Sequence, residues 1–150
     1  IPLASELGVK GLIIPDVPYE EALAYKDLFD ENNMANISFV APTDSEERIK
    51  TIVSDAKKFI YMVAYTGITG SGQAEDLQPF LKSIKKHSKT PVYVGFGVNA
   101  KTAKAKVLGA DGVIVGSAYV EILLKENLNY AQKIKECGEL SKIIKNEINA

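Results

Sequence analysis

The stretch Leu108–Ala118 reads LGADGVIVGSA. A Leu-Gly pair suited to a helix end leads through a short turn into Gly112–Val115, a β-branched run, and the run stops at Gly116-Ser117. Apolar residues without period-two alternation mark a strand covered on both faces, as a parallel sheet requires. The same order stands at Leu7–Asp16, LGVKGLIIPD: helix end, Gly-x-x-Gly turn, apolar run, polar stop. The echo is consistent with a repeated βα module, and equally with glycine C-caps converging on one turn chemistry.

Outward from these two units, five short apolar runs recur: Gly11–Pro15, Ile37–Pro42, Phe59–Ala64, Val92–Phe96 and Gly112–Val115. Amphipathic segments lie between them. Ile49, Ile52, Val53 and Ala56, and again Leu77, Phe80, Leu81 and Ile84, fall at i, i+3, i+4 and i+7, one apolar helix stripe each. Asp44 and Asn99 are expected as N-caps, with Glu46 and Glu47 in a first helical turn. A short helix is expected over Ala118–Glu126 and a longer one over Asn129–Asn149. The alternation is βαβα with parallel strands in one domain, residues 1–150. Five βα units fit either a complete open sheet or part of a (β/α)8 TIM barrel, which takes about 250 residues. The opening IPLASELG reads as the tail of a helix, which favours the partial barrel, with its N-terminal units absent.

Bulk composition narrows the function. The 150 residues are 46% hydrophobic and 25% charged, as in an ordinary globular domain. Eighteen basic residues against nineteen acidic ones leave no electrostatic footprint for nucleic acid or an anionic membrane. The apolar runs are too short to span a bilayer, and the single Cys137 has no partner for a disulfide, so a cytoplasmic protein is expected.

Polar and glycine residues gather after each strand, where parallel α/β proteins build their sites. After the fourth run, Phe96-Gly97-Val98-Asn99 puts side-chain-free backbone ahead of a capped helix. After the fifth, Gly116 and Ser117 open the short helix. Each end offers unpaired N–H groups, and Ser117 adds a hydroxyl, so the pair can cradle an anion such as a phosphate. Behind the third run, Ala64–Gln73 reads AYTGITGSGQ, with three glycines in six residues.

The segments GLIIPDVPYEEA, FVAPTDSEERI, YTGITG, VGFGV and DGVIVGSA, in this order, resemble the C-terminal portion of the tryptophan synthase α-subunit family, from about Leu7 to Lys125. The resemblance implies a (β/α)8 barrel and a carbon–carbon lyase of tryptophan biosynthesis that cleaves indole-3-glycerol phosphate to indole and glyceraldehyde 3-phosphate. It implies phosphate held by Gly70, Gly97, Gly116 and Ser117, with Phe96 beside them. It matches Tyr61 to an active-site tyrosine, Thr69 to a lid residue over substrate, and Asp16 to an acidic residue near the indole pocket and the partner contact. Pro15 and Val40 match pocket-wall positions, with core packing as an equal reading of Val40. The expected partner is a β subunit carrying pyridoxal phosphate, in an α2β2 heterotetramer, with no cofactor in this subunit.

The family's acid–base carboxylates match nothing here, and both are expected upstream of Ile1, which would leave this chain without turnover. Glu20, Glu21, Glu46 and Glu47 read as solvated first-turn residues, His87 as a surface residue, and Cys137 as no nucleophile. No Cys/His cluster suggests a metal. Two other readings share the Gly-Ser cradle: a phosphate-sugar epimerase or isomerase barrel, and a non-catalytic half barrel that pairs with itself. An open barrel with bare strand edges is expected to associate.

Overall fold

The computed structural model describes residues 1–64 and 76–150. In chain order its elements are α1 (Pro2–Glu6), β1 (Gly11–Leu12), α2 (Tyr19–Ala22), a 3-10 turn (Leu23–Tyr25), α3 (Lys26–Glu31), β2 (Ala35–Asn36), β3 (Ser38–Val40), α4 (Glu46–Val53), β4 (Ile60–Val63), α5 (Gln78–His87), β5 (Val92–Gly95), α6 (Ala103–Val107), β6 (Gly112–Val113), α7 (Ser117–Leu123) and α8 (Tyr130–Asn149). All strand pairs are parallel.

β2 and β3 are two halves of one extended run, Ala35–Val40. The first half pairs with β1, through Ala35 N–H to Lys10 O (3.0 Å) and Ile37 N–H to Leu12 O (2.9 Å). The second half pairs with β4, Phe39 opposite Tyr61. The strand order is therefore β1, β2–β3, β4, β5, β6, neighbours in sequence being neighbours in space. A doubly wound sheet would place its first strand inside the order, whereas a barrel wall runs in sequence. The molecule is a partial (β/α)8 barrel. Its strands are shorter than the apolar runs: Ile13 and Ile14 lie beyond β1, and Ile114 and Val115 beyond β6.

The turns show why similar sequences need not share a conformation. At Gly8 (φ 89°) the amides of Gly8 and Val9 donate to Ser5 O and Ala4 O, a Schellman closure of α1. At Gly109 (φ 80°), Ala110 N–H donates to Val107 O across Leu108 (φ −54°, ψ 113°), a type II turn. The echo is thus one residue choice serving two geometries. Asp44 is not the N-cap of α4. Ser45 is, accepting from Arg48 N–H, while Asp44 Oδ2 reaches back to Ala41 N–H (2.7 Å) and closes the preceding turn. Asn129 caps α8 reciprocally with Gln132. α7 runs Ser117–Leu123, beginning one residue and ending three residues earlier than the sequence reading.

The strands are covered on one face only, which corrects the expectation of burial on both. Ile60, Met62, Val92 and Val94 are wholly buried against Ile49, Ile52 and Val53 of α4 and Leu81 and Ile84 of α5. Each such side chain contributes about 1.5–3 kcal/mol. The alternate residues Phe39, Tyr61 and Tyr93 point to the barrel interior and stay half-buried. They are aromatic rather than polar: Phe39 stacks on Tyr61 (centroids 4.9 Å apart) and Phe59 on Tyr93 (5.1 Å). A second cluster of Val98, Ala103 and Ile144, joined by Val113 and Val115, ties α6 and α8 to the carboxyl ends of β5 and β6.

One corner is held differently. Lys26 pairs with Asp55, Lys57 with Asp30, and Arg48 with Glu20, joining α2–α3 to α4 and the loop behind it by exposed charge contacts. These contacts border a cavity of about 260 Å³ against Met34–Ala41.

Candidate functional site

At the carboxyl end of β4 and β5 the interior face ends in a small aromatic corner. Tyr61 lies flat on Phe39 and meets the edge of Phe96 (6.3 Å between centroids, 67° between planes). Burial pushes the Tyr61 phenol above its ordinary range, so it stays protonated at neutral pH and can donate as well as accept. The ring fits there because β5 carries glycine two residues beyond Tyr93. A β-carbon on Gly95 would run into Tyr61 Oη, Cζ and Cε1.

Beyond Gly95 the chain makes an unusual turn. Phe96 and Gly97 both adopt left-handed φ, 73° and 65°. For phenylalanine this costs about 1–2 kcal/mol, and its ring is more than half exposed. The turn is held from the far side. Asn99 Oδ1 accepts from the amides of Lys101 (2.9 Å) and Thr102 (3.2 Å), Asn99 N–H donates to Thr102 Oγ1 (3.0 Å), and the Thr102 hydroxyl donates to Gly97 O (2.6 Å). Asn99 is thus a cap, as the sequence suggests, although the turn it opens precedes α6 proper. Val98, 5% exposed, anchors the turn in the second cluster.

The neighbouring end is Gly116-Ser117. Ile114 N–H pairs with Val94 O (2.8 Å), and Val115 packs in the same cluster as Val98, so the two turns emerge side by side. Gly116 O accepts from Tyr119 and Val120, which start α7. Among the described residues, no acceptor takes the amide hydrogens of Gly97, Ser117 or Ala118, nor does the Ser117 hydroxyl have a partner. Exposed amides on adjacent strand ends, with one hydroxyl, form a surface suited to an oxyanion.

Other sequence candidates lie elsewhere. Asp16 is exposed behind β1, at the same end of the sheet but three strands from Phe96. Pro15 is exposed at the rim of the cavity beside α2. Val40, 1% exposed, packs into the helix-side core with Ile49 and Ile52. Of its two expected readings, core packing is the one the structure bears out: strand alternation turns Phe39, not Val40, to the Tyr61 face. Thr69 and Gly70 fall within 65–75, outside the described residues. Glu20, Glu21, Glu46 and Glu47 are exposed helix-start residues. His87 is more covered than expected, its side chain 16% exposed with Nε2 3.2 Å from Glu46. Among the described residues no group of His, Cys, Asp or Glu is placed to hold a metal, and no helix is long and apolar enough to cross a membrane.

Three residues of this corner escape the sequence reading: Phe39, Gly95 and Thr102. Phe39 was legible from period-two alternation once Tyr61 was placed. Thr102 was legible as the N3 partner of an Asn99 cap. Gly95 had no signal beyond standing next to Phe96-Gly97.

Comparison with known proteins gives the same answer along the whole chain. A family model described as Tryptophan synthase alpha chain matches residues 1–149. The tryptophan synthase alpha chain of Wolinella succinogenes is 51% identical over 148 residues, covering 98% of this chain and 58% of that protein. That of Bacillus cereus is 40% identical over 140 residues, covering 87% and 54%. Among solved structures, tryptophan synthase subunit alpha from Campylobacter jejuni superposes with a TM-score of 0.76 at 34% identity, covering 97% of this chain and 54% of that one. The chain therefore spans little more than half the length of the relatives it matches. A match running from residue 1 to 149 shows that this chain belongs to the tryptophan synthase alpha chain family.

Proposed function

We propose that this chain supplies the phosphate-binding half of a lyase that cleaves indole-3-glycerol phosphate to indole and glyceraldehyde 3-phosphate. The observation that carries the reading is the pair of adjacent turns at Phe96–Gly97 and Gly116–Ser117, with amide hydrogens left unspent among the described residues. A phosphate dianion would take the amides of Gly97 and Ser117, the Ser117 hydroxyl, the backbone of Gly116 and, as the family resemblance implies, the amide of Gly70. Tyr61, flat against Phe39, gives the indole an apolar wall, and its protonated phenol remains a donor. Thr69 belongs to the segment that closes over substrate and excludes water. Asp16 sits at the rim on the side of the indole pocket and the partner contact.

The cleavage is a retro-aldol step. It protonates the indole ring carbon that bears the side chain, and removes protons from the ring nitrogen and from a side-chain hydroxyl. Tuned carboxylates can do this. None of the carboxylates described here stands against Tyr61 or the two turns, so we place the acid–base pair in the part of the family's length that this chain does not span. The chain alone then binds phosphate and releases no indole. In the whole enzyme the subunit needs no cofactor of its own, works in the cytoplasm, and hands indole to a pyridoxal-phosphate β subunit in an α2β2 assembly.

In the complete enzyme, Ser117→Ala is expected to raise KM for indole-3-glycerol phosphate tenfold to a hundredfold, the worth of one hydrogen bond to a charged group, about 1.5–3 kcal/mol. An unchanged KM removes Ser117 from the site. Indole released by this chain alone overturns the placement of the carboxylates.

A further inference from the structure

The Phe96–Gly97 turn presents a problem that the phosphate reading does not solve. A non-glycine residue at φ 73° and a glycine at φ 65° are held together although Phe96 is 57% exposed, its ring meeting Tyr61 edge-on. Strained backbone of this kind persists only where its surroundings over-determine it. The contacts that fix the turn are Val98, buried in the second cluster, and the hydrogen bonds made by Thr102.

Thr102 does two things at once. Its Oγ1 accepts the Asn99 amide (3.0 Å), completing a reciprocal cap with Asn99 Oδ1. The same hydroxyl gives its only hydrogen to Gly97 O (2.6 Å). In a trans peptide the carbonyl and the following N–H point opposite ways. With Gly97 O drawn towards Thr102, the Val98 N–H must face away from it. Glycine at 97 makes rotation of this peptide sterically cheap. Among the described residues no acceptor takes the Val98 N–H either. Once rotated, the peptide would put the Gly97 carbonyl oxygen on the side where the Val98 N–H now stands, and a carbonyl oxygen repels a phosphate.

We propose that Thr102 is a positioning residue for phosphate binding, its hydroxyl locking the Gly97–Val98 peptide so that the Val98 N–H, and not the Gly97 carbonyl, faces the ligand beside the Gly97 amide. The proposal rests on the phosphate reading above. Thr102 touches no substrate atom and acts through the turn.

The test uses the complete enzyme, with glyceraldehyde 3-phosphate and inorganic phosphate as competitive inhibitors. Thr102→Val keeps the shape and removes the hydroxyl. It is expected to raise KM for indole-3-glycerol phosphate and both inhibition constants about tenfold, with kcat within twofold. Thr102→Ser restores the hydroxyl and is expected to bring all three constants back to within twofold of the unaltered enzyme. Unchanged constants in Thr102→Val overturn the proposal. So does a Thr102→Ser enzyme as impaired as Thr102→Val, which would assign the effect to the methyl group. If neither anion inhibits the unaltered enzyme, the phosphate reading itself falls, and this proposal with it.

Discussion

The ring of Tyr61 occupies the space that a side chain on Gly95 would need: a β-carbon there would collide with Oη, Cζ and Cε1 at once. Tyr61 faces Tyr93 in the parallel register and leans towards the residue two places further along β5. One strand thus supplies the bulk and the next supplies the room.

The pairing predicts a coupled response. Gly95→Ala forces the phenol off Phe39, and Tyr61→Ala vacates the space, so the second change should relieve the first. Urea unfolding of the two single variants and the double variant is expected to give a coupling energy of about 0.5–3 kcal/mol, the range for residues in contact. Strict additivity would show that the two side chains do not compete for the same volume.

The two echoing glycines should differ in sensitivity. Gly8 and Gly109 both hold φ in the left-handed region, but a β-carbon on Gly8 meets nothing within 4 Å, while one on Gly109 meets the Gln78 carboxamide at 2.9 Å. Gln78 Nε2 donates to Leu108 O across this turn. Gly8→Ala should cost about 1–2 kcal/mol for the conformation alone. Gly109→Ala should cost that and the displaced Gln78 contact, giving the lower midpoint in thermal unfolding.

Asp111 predicts a pH dependence. Burial raises its pKa, but the Val92 amide (2.8 Å to Oδ2) and the Lys85 ammonium (3.0 Å to Oδ1) outweigh this and hold it below the ordinary carboxylate range. A carboxyl depressed in the folded state stabilises above its unfolded pKa, about 3.9, and that stability is lost as pH falls through the folded value. Unfolding midpoints measured from pH 6 down to pH 2 should decline, and Asp111→Asn should decline less over the same interval. Equal slopes would remove Asp111 from the acid response.

The helix-side core predicts the largest single losses. Leu81 is 1% exposed between α5 and the β4–β5 face, and Leu81→Ala should cost about 2–5 kcal/mol. Tyr130, 81% exposed at the start of α8, should tolerate alanine within about 0.5 kcal/mol. Chemical denaturation of both variants checks the contrast.

Much of this fold was legible in the sequence because helix stripes and apolar runs are local signals. Leu77, Leu81 and Ile84 fall on one face by spacing alone, and the structure buries all three. Strand order was not local. It follows from Ala35–Val40 pairing first with β1 and then with β4, a division at Ile37 that no residue type announces. In the site, Phe96, Gly97, Gly116 and Ser117 were readable because turn chemistry is written in glycine and serine. Gly95 was not, since its importance lies in a ring that reaches it from the preceding strand. Thr102 was readable as a cap partner but not as the donor to a carbonyl five residues back. Val40 had two readings, pocket wall and core packing, and which of them holds is set by strand alternation, since one residue of register moves a side chain to the opposite face.

The charge contacts that fasten α2–α3 have a consequence for the whole molecule. Such contacts weaken as electrolyte is added, while the oily seam between α4 and α5 does not. Raising ionic strength therefore loosens one corner selectively, and amide deuteration in concentrated sodium chloride should begin at Tyr19–Glu31 while Gln78–His87 stays protected.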